Sequence, residues 1–273
     1  MLLGLLERNQ LAATDMTLKR FRRRSPCDEC LYPPDKKPCF DIKKVTVERG
    51  NSCHSNMIRS FLYTHFWPQE PSVVGLWTPL NSPYLEVLTD QYANSGDRFL
   101  AFEKIERTGE TKLIGVSIGN KVLPWTSDEL EEWAHSTSSK PEQTRMYFNA
   151  HCLKDSNLIN KYNVDYLYEV EILSTDPEVA GQGVGKLLLN TALSHAEELG
   201  YPVAQVIAVS HYTSKICKKC GMKLEWSMKY EDFVDRAGRQ MFFPRRPHLA
   251  VEIYSKFFDP SKNKEEPCKP QYF

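Results

Sequence analysis

Residues 166–174, Tyr-Leu-Tyr-Glu-Val-Glu-Ile-Leu-Ser, alternate bulky and polar side chains, and the Asp176-Pro177 pair ends the run, so the pattern predicts a strand. Val184, Leu187, Leu188, Ala192 and His195 then recur at helical spacing, with Gly181, Gly183 and Gly185 where that helix begins. Val203 to Val209 predicts a second buried strand, and residues 210–222 a short helix closed by Gly221. Upstream, residues 40–47 alternate as a first strand, and Met57, Ile58, Phe61, Leu62 and Phe66 predict a helix over 54–65. A second helix covers 84–92, and residues 98–103 and 112–118 form strands joined by a hairpin through Gly109. The polar stretch 124–163 predicts a pair of helices capping the sheet, and 224–230 and 249–258 complete it. Strands interleaved with helices make this an α/β chain.

The glycine turn carries the candidate chemistry. A helix start has unpaired N–H groups and the positive end of the macrodipole, and glycines let a phosphate approach the backbone. A Walker loop needs Ser or Thr after Gly185-Lys186, where this chain has Leu187, which cannot ligate magnesium. The dinucleotide fingerprint begins at Gly181-Gln-Gly183, but its third glycine would fall on Lys186, and no ribose-binding acid follows where one is expected.

What remains is Ala180-Gly181-Gln182-Gly183-Val184-Gly185, which resembles the pyrophosphate loop of the GNAT superfamily of N-acetyltransferases, with alanine replacing the leading Arg or Gln. Ser210, Thr213, Ile216, Cys217, Lys219, Gly221 and Met222 fall on the positions of that superfamily's next helix. Three further segments are similar to the insect arylalkylamine branch: Phe66-Trp-Pro-Gln-Glu70-Pro71, Ser210-His211-Tyr212, and Pro247-His248, with Ile172 to Pro177 resembling its strand end. The motifs run in order across about residues 42–258.

The resemblance implies a GNAT fold: a mixed central sheet of about six to seven strands flanked by helices, with its central parallel strands splayed. It implies acetyl-CoA as co-substrate. The backbone of Leu173, Ser174 and Thr175 would pair with the pantetheine arm, and Gly181, Gln182, Gly183, Val184, Gly185 and Lys186 would hold the pyrophosphate. Direct transfer to a primary amine would follow, with an arylalkylamine such as dopamine, serotonin, tyramine or octopamine as acceptor. Glu70 resembles the family's general base, and desolvation among Phe66, Trp67 and Trp77 would raise its pKa. Trp67 and His248 are candidates for the amine site. For the departing thiolate, the superfamily's tyrosine position is Cys217 and one flanking serine is Val209, which leaves Thr213, Ser210 and Tyr212 as candidate acids. Related acceptors such as polyamines or amino acids, longer acyl chains, and coenzyme A binding without catalysis remain open alternatives.

At 273 residues the chain accommodates one substantial domain, expected over 39–258, with a loosely ordered arm over 1–38 and a polar tail over 259–273. Thirty-five basic and thirty-five acidic residues cancel, so no global field recruits nucleic acid or a membrane surface. The apolar start stops at Glu7-Arg8, short of a secretory signal, and a cytoplasmic protein is expected. Cys27, Cys30, Cys39 and Cys53, with His54, offer zinc ligands, but the irregular spacing after the first pair predicts no metal.

Overall fold

The computed structural model describes residues 40–105 and 109–258, so the expected arm over 1–38, the tail over 259–273, and Cys27, Cys30 and Cys39 lie outside the described residues. Seven strands form one sheet: β1 (Val45–Arg49), β2 (Asp97–Lys104), β3 (Thr111–Val122), β4 (Leu167–Thr175), β5 (Val203–Ala208), β6 (Lys223–Lys229) and β7 (Ala250–Phe257). Their order is β1-β2-β3-β4-β5-β7-β6. Neighbours are antiparallel except β4 and β5, which run parallel.

The helices are α1 (Ser55–Phe61), α2 (Pro71–Gly75), α3 (Pro83–Asn94), α4 (Thr126–Ser136), α5 (Lys140–Ser156), α6 (Leu158–Tyr162), α7 (Val184–Glu198) and α8 (His211–Lys219). Three differences from the sequence pattern have local causes. The first strand starts at Val45 because Asp41 accepts the Lys43 N–H and winds Ile42–Lys44 into a 3-10 turn. The helix over 54–65 is α1 followed by a wider π turn, Leu62–Phe66. The stretch 124–163 holds three helices rather than two, because Asn157 adopts φ 43° and separates α5 from α6.

The period of two in β3 divides the core. Val116 and Ile118 pack with Ile58, Leu62, Leu85 and Leu100 beneath α1 and α3, while Gly115 turns to the other face, against Leu188 of α7. A second cluster joins Phe148 and Cys152 of α5 to Leu167, Val203, Val251 and Ile253. Each fully buried apolar side chain contributes about 1.5–3 kcal/mol relative to exposure, which fixes the helices on the sheet.

The feature that positions the site lies between β4 and β5. Their parallel pairing consists of Tyr168 with Ala204 and Glu169 with Gln205, and it ends there. Beyond that point β4 continues to Thr175, paired on its other side to β3. The strands part, so the edge of β4 from Val170 to Thr175 has no ladder partner on β5. Just past the last pair, Ile118 faces Ile172 and Gly119 faces Val170, leaving Glu171 as the extra residue of a β-bulge.

Candidate active site

The parted strands open into a cavity of about 1270 Å³. On one side it is lined by Leu173, Ser174 and Thr175 of β4 and by Gly181, Gly183, Gly185 and Lys186 of the glycine turn. Gly181 and Gly183 have φ of 79° and 100°, a left-handed backbone that other residues adopt only under strain. Gly183 is the N-cap of α7, whose first N–H groups lack intrahelical partners. Val184 is buried beneath the turn, and the Gln182 side chain folds back so that its amide donates to the Glu178 carbonyl at 3.3 Å. Neither of those two side chains lines the cavity; the turn therefore offers backbone donors and the Lys186 ammonium.

Ser210, Tyr212 and Thr213 line the same cavity, at the start of α8. Ser210 caps that helix by accepting the Tyr212 N–H at 3.1 Å, which leaves its own hydroxyl hydrogen free to be given elsewhere. Cys217 is fully buried, and burial foremost pushes its thiol up to about 12, so it is a packed thiol.

Glu70 approaches from the opposite wall. Its side chain is 4% exposed, caps α2 by accepting the Val73 N–H at 2.5 Å, and lies 2.7 and 2.9 Å from the Ser72 hydroxyl through its two oxygens. The expected aromatic enclosure is not what surrounds it. Trp77 is 74% exposed and stacks on Phe243, and Trp67 is fully buried with its indole N–H donating to Thr89 at 2.7 Å. Trp67 packs in the core under α1 and α3 and does not line the cavity, because its polar atom finds a buried partner there. The groups around the carboxylate are instead polar: Ser72, the Val73 N–H, and the Arg145 cation near by.

His248 lines the cavity and accepts the His211 N–H through Nδ1 at 3.2 Å, which assigns a neutral ring with the hydrogen on Nε2. Burial and then His211 lower its pKa, against the opposing charge of Glu70, and its ring meets Tyr212 edge-on at 5.5 Å. The ring follows a cis Arg246-Pro247 peptide.

Other lining residues carry no sequence motif. Glu169 and Glu171 both face the cavity, held by the Gln205 amide at 2.6 Å and the Asn120 amide at 2.7 Å. Burial foremost raises both carboxyls, and for Glu169 the neighbouring Glu171 adds to it. Tyr92 also bonds Glu171. Arg145 of α5 is 8% exposed and donates to Ser72 at 3.2 Å and to the Tyr84 hydroxyl at 2.9 Å. Across the cavity α4 presents Thr126, Glu129, Leu130 and Trp133, one helical stripe. Arginine on a polar helix and glutamates on an alternating strand carry no signal of burial, so only the fold reveals them.

A seven-stranded mixed sheet with a parallel, parting central pair, a glycine turn leading from the fourth strand into a helix, and helices on both faces is the GNAT fold. No family model matches the chain. It is similar in structure to a mosquito arylalkylamine N-acetyltransferase-like protein 5b, with TM-score 0.71 at 21% identity over 78% of this chain and 100% of that one. Arylalkylamine N-acetyltransferase 2 from Aedes aegypti gives TM-score 0.71 at 20% identity over 79% and 99% of the two chains. A Drosophila melanogaster polyamine N-acetyltransferase that catalyses the formation of N-acetylagmatine gives 0.69 at 18% over 78% and 100%. At these identities the likeness is one of fold. Among the described residues no helix is long and apolar enough to cross a membrane.

Proposed function

We propose that this protein is an acetyl-CoA-dependent N-acetyltransferase acting on the primary amine of a small molecule, in the cytosol, with the activity residing in residues 39–258. The observation that carries this reading is the parting of β4 and β5 after two residue pairs, which opens one cavity reached by the glycine turn from one side and Glu70 from the other.

Acetyl-CoA would supply an activated acyl carbon to this cavity. The unpaired edge of β4 at Leu173, Ser174 and Thr175 is suited to hold an amide-bearing arm as an added strand. The left-handed turn at Gly181 and Gly183, the first N–H groups of α7, and Lys186 suit a pyrophosphate. No alkylammonium can attack while protonated, and with a pKa near about 10 it must give up about 4 kcal/mol at pH 7 to do so. Glu70, held by Ser72 and Val73, takes that proton directly or through water. As the carbon–nitrogen bond forms and the carbon–sulfur bond breaks, the amine's second proton would pass through a hydroxyl of Ser210, Tyr212 or Thr213 to the departing thiolate.

The acceptor proposed first is an arylalkylamine, supported by the aromatic side chains of Phe66, Tyr84 and Trp133 lining the cavity. A second reading, an amine with two cationic groups such as a polyamine, is favoured by the two carboxyl side chains, Glu169 and Glu171, that line the cavity. Steady-state acetylation of a panel of both amine types tests this. Turnover with release of free coenzyme A thiol is expected; a protein that binds acetyl-CoA and acetylates none of them overturns the enzyme reading in favour of a binding protein.

A further inference from the structure

Arg145 is a buried cation with no part in the chemistry above. Its Nε–H donates to Ser72 Oγ at 3.2 Å and its Nη1 to the Tyr84 hydroxyl at 2.9 Å. It thus ties α5 to α2 and α3 through hydroxyls. A guanidinium can only donate, so Ser72 must accept from it, and the direction of the chain is fixed. Ser72 Oγ accepts from Arg145 and spends its single hydrogen on Glu70, whose oxygens lie 2.7 and 2.9 Å away.

A direct Arg–Glu fork would occupy both carboxylate oxygens, the atoms a base needs. Routing the cation through one hydroxyl adds a polarised donor to the Val73 N–H already on the carboxylate and leaves the remaining lone pairs to the cavity. Burying a guanidinium without a carboxylate in contact is costly, so plain packing is a poor account of it.

We propose that Arg145 is a positioning residue for the acceptor base: it acts through Ser72 to orient the Glu70 carboxylate toward the incoming amine. This rests on the reading of Glu70 as the base.

The full chain tests it with Ser72→Ala, Ser72→Thr, Arg145→Gln and the double variant Ser72→Ala/Arg145→Gln. With an amine the wild type accepts, each of the two disabling single variants is expected to lower kcat about 10- to 100-fold, the scale of a misplaced catalytic group. Acetyl-CoA affinity by calorimetry stays at the wild-type value, Ser72→Thr restores kcat, and the double variant is no worse than the poorer single one, because both remove one chain. Multiplying losses, or an unchanged kcat in either disabling single variant, overturns the proposal. A second readout needs no turnover: in crystal structures of Arg145→Gln and of Ser72→Ala the Glu70 carboxylate leaves its present orientation. A carboxylate that stays in place in both overturns the relay, whereas wild-type protein that acetylates no amine overturns the enzyme reading alone.

Discussion

Replacing Glu70 by glutamine separates the chemistry of this residue from its structural duty. The carboxylate accepts the Val73 N–H at 2.5 Å and the Ser72 hydroxyl at 2.7 Å while 4% exposed. An amide oxygen can accept the same hydrogens, so Glu70→Gln keeps the cap of α2. Glu70→Ala cannot: it loses the cap, about 0.5–2 kcal/mol, and orphans a buried donor, about 1–3 kcal/mol, so it melts at lower temperature. The glutamine variant therefore reports on proton transfer. General-base assistance is worth about 10²- to 10⁴-fold, or about 3–5.5 kcal/mol of barrier. Without it only amine already deprotonated in solution reacts, and kcat/KM for Glu70→Gln should climb about tenfold per pH unit toward the amine's own pKa. The assay is initial rate of thiol release between pH 7 and pH 10 with saturating acetyl-CoA. A Glu70→Gln variant with the wild-type rate and the wild-type pH profile refutes the reasoning and leaves Glu70 as a helix cap alone.

Glu169→Gln and Glu171→Gln should each raise KM for a diamine about tenfold while leaving a monoamine unaffected, if the second acceptor reading holds; equal effects on both exclude it. Because burial raises the Glu169 carboxyl, the native state favours its protonated form, and stability is lost as pH rises through the folded-state value. Thermal melts should show Glu169→Gln gaining on the wild type at alkaline pH and losing that advantage near pH 4. Gly183→Ala places a β-carbon on a φ of 100°, costs about 1–2 kcal/mol, and should weaken acetyl-CoA binding about tenfold in calorimetry. Glu225 behaves oppositely to Glu169: burial alone would raise it, but Lys161, Tyr162, Ser255 and Lys223 outweigh burial and hold it at about 2. Its contribution to stability is whole above the unfolded value near about 4.3 and disappears as pH falls toward 2, a dependence that Glu225→Gln should remove. Trp67→Phe should lose about 1–3 kcal/mol of stability with KM for amine unchanged, since its N–H bonds Thr89 in the core.

The elements around the glycine turn were legible because strong periodicity is punctuated by residues with few conformational options. Gly181 and Gly183 sit at positive φ, and Val184, Leu188 and Ala192 form the buried stripe of α7, as their spacing implies. Where the pattern misled, long-range partners decided. Phe66, Trp67 and Trp77 lie near Glu70 in sequence, yet Trp67 turns to Thr89 and Trp77 to Phe243. The Glu169–Val–Glu171 alternation reads as one polar edge of an ordinary strand, but that edge faces the cavity opened where β4 and β5 part. Arg145 was invisible because its hydroxyl partners are 73 and 61 residues away.

Two residue pairs are all that join β4 to β5, so the seven strands are welded at the middle by a very short seam. A strand-like ligand lodged above that seam would act as a missing rung, and occupancy of the gap would become part of the protein's conformational stability. At a concentration one hundred times its Kd such a ligand adds about 2.7 kcal/mol. Amide hydrogen exchange along Val170 to Thr175 would then slow in proportion to the ligand supply, making the middle of the sheet a gauge of it.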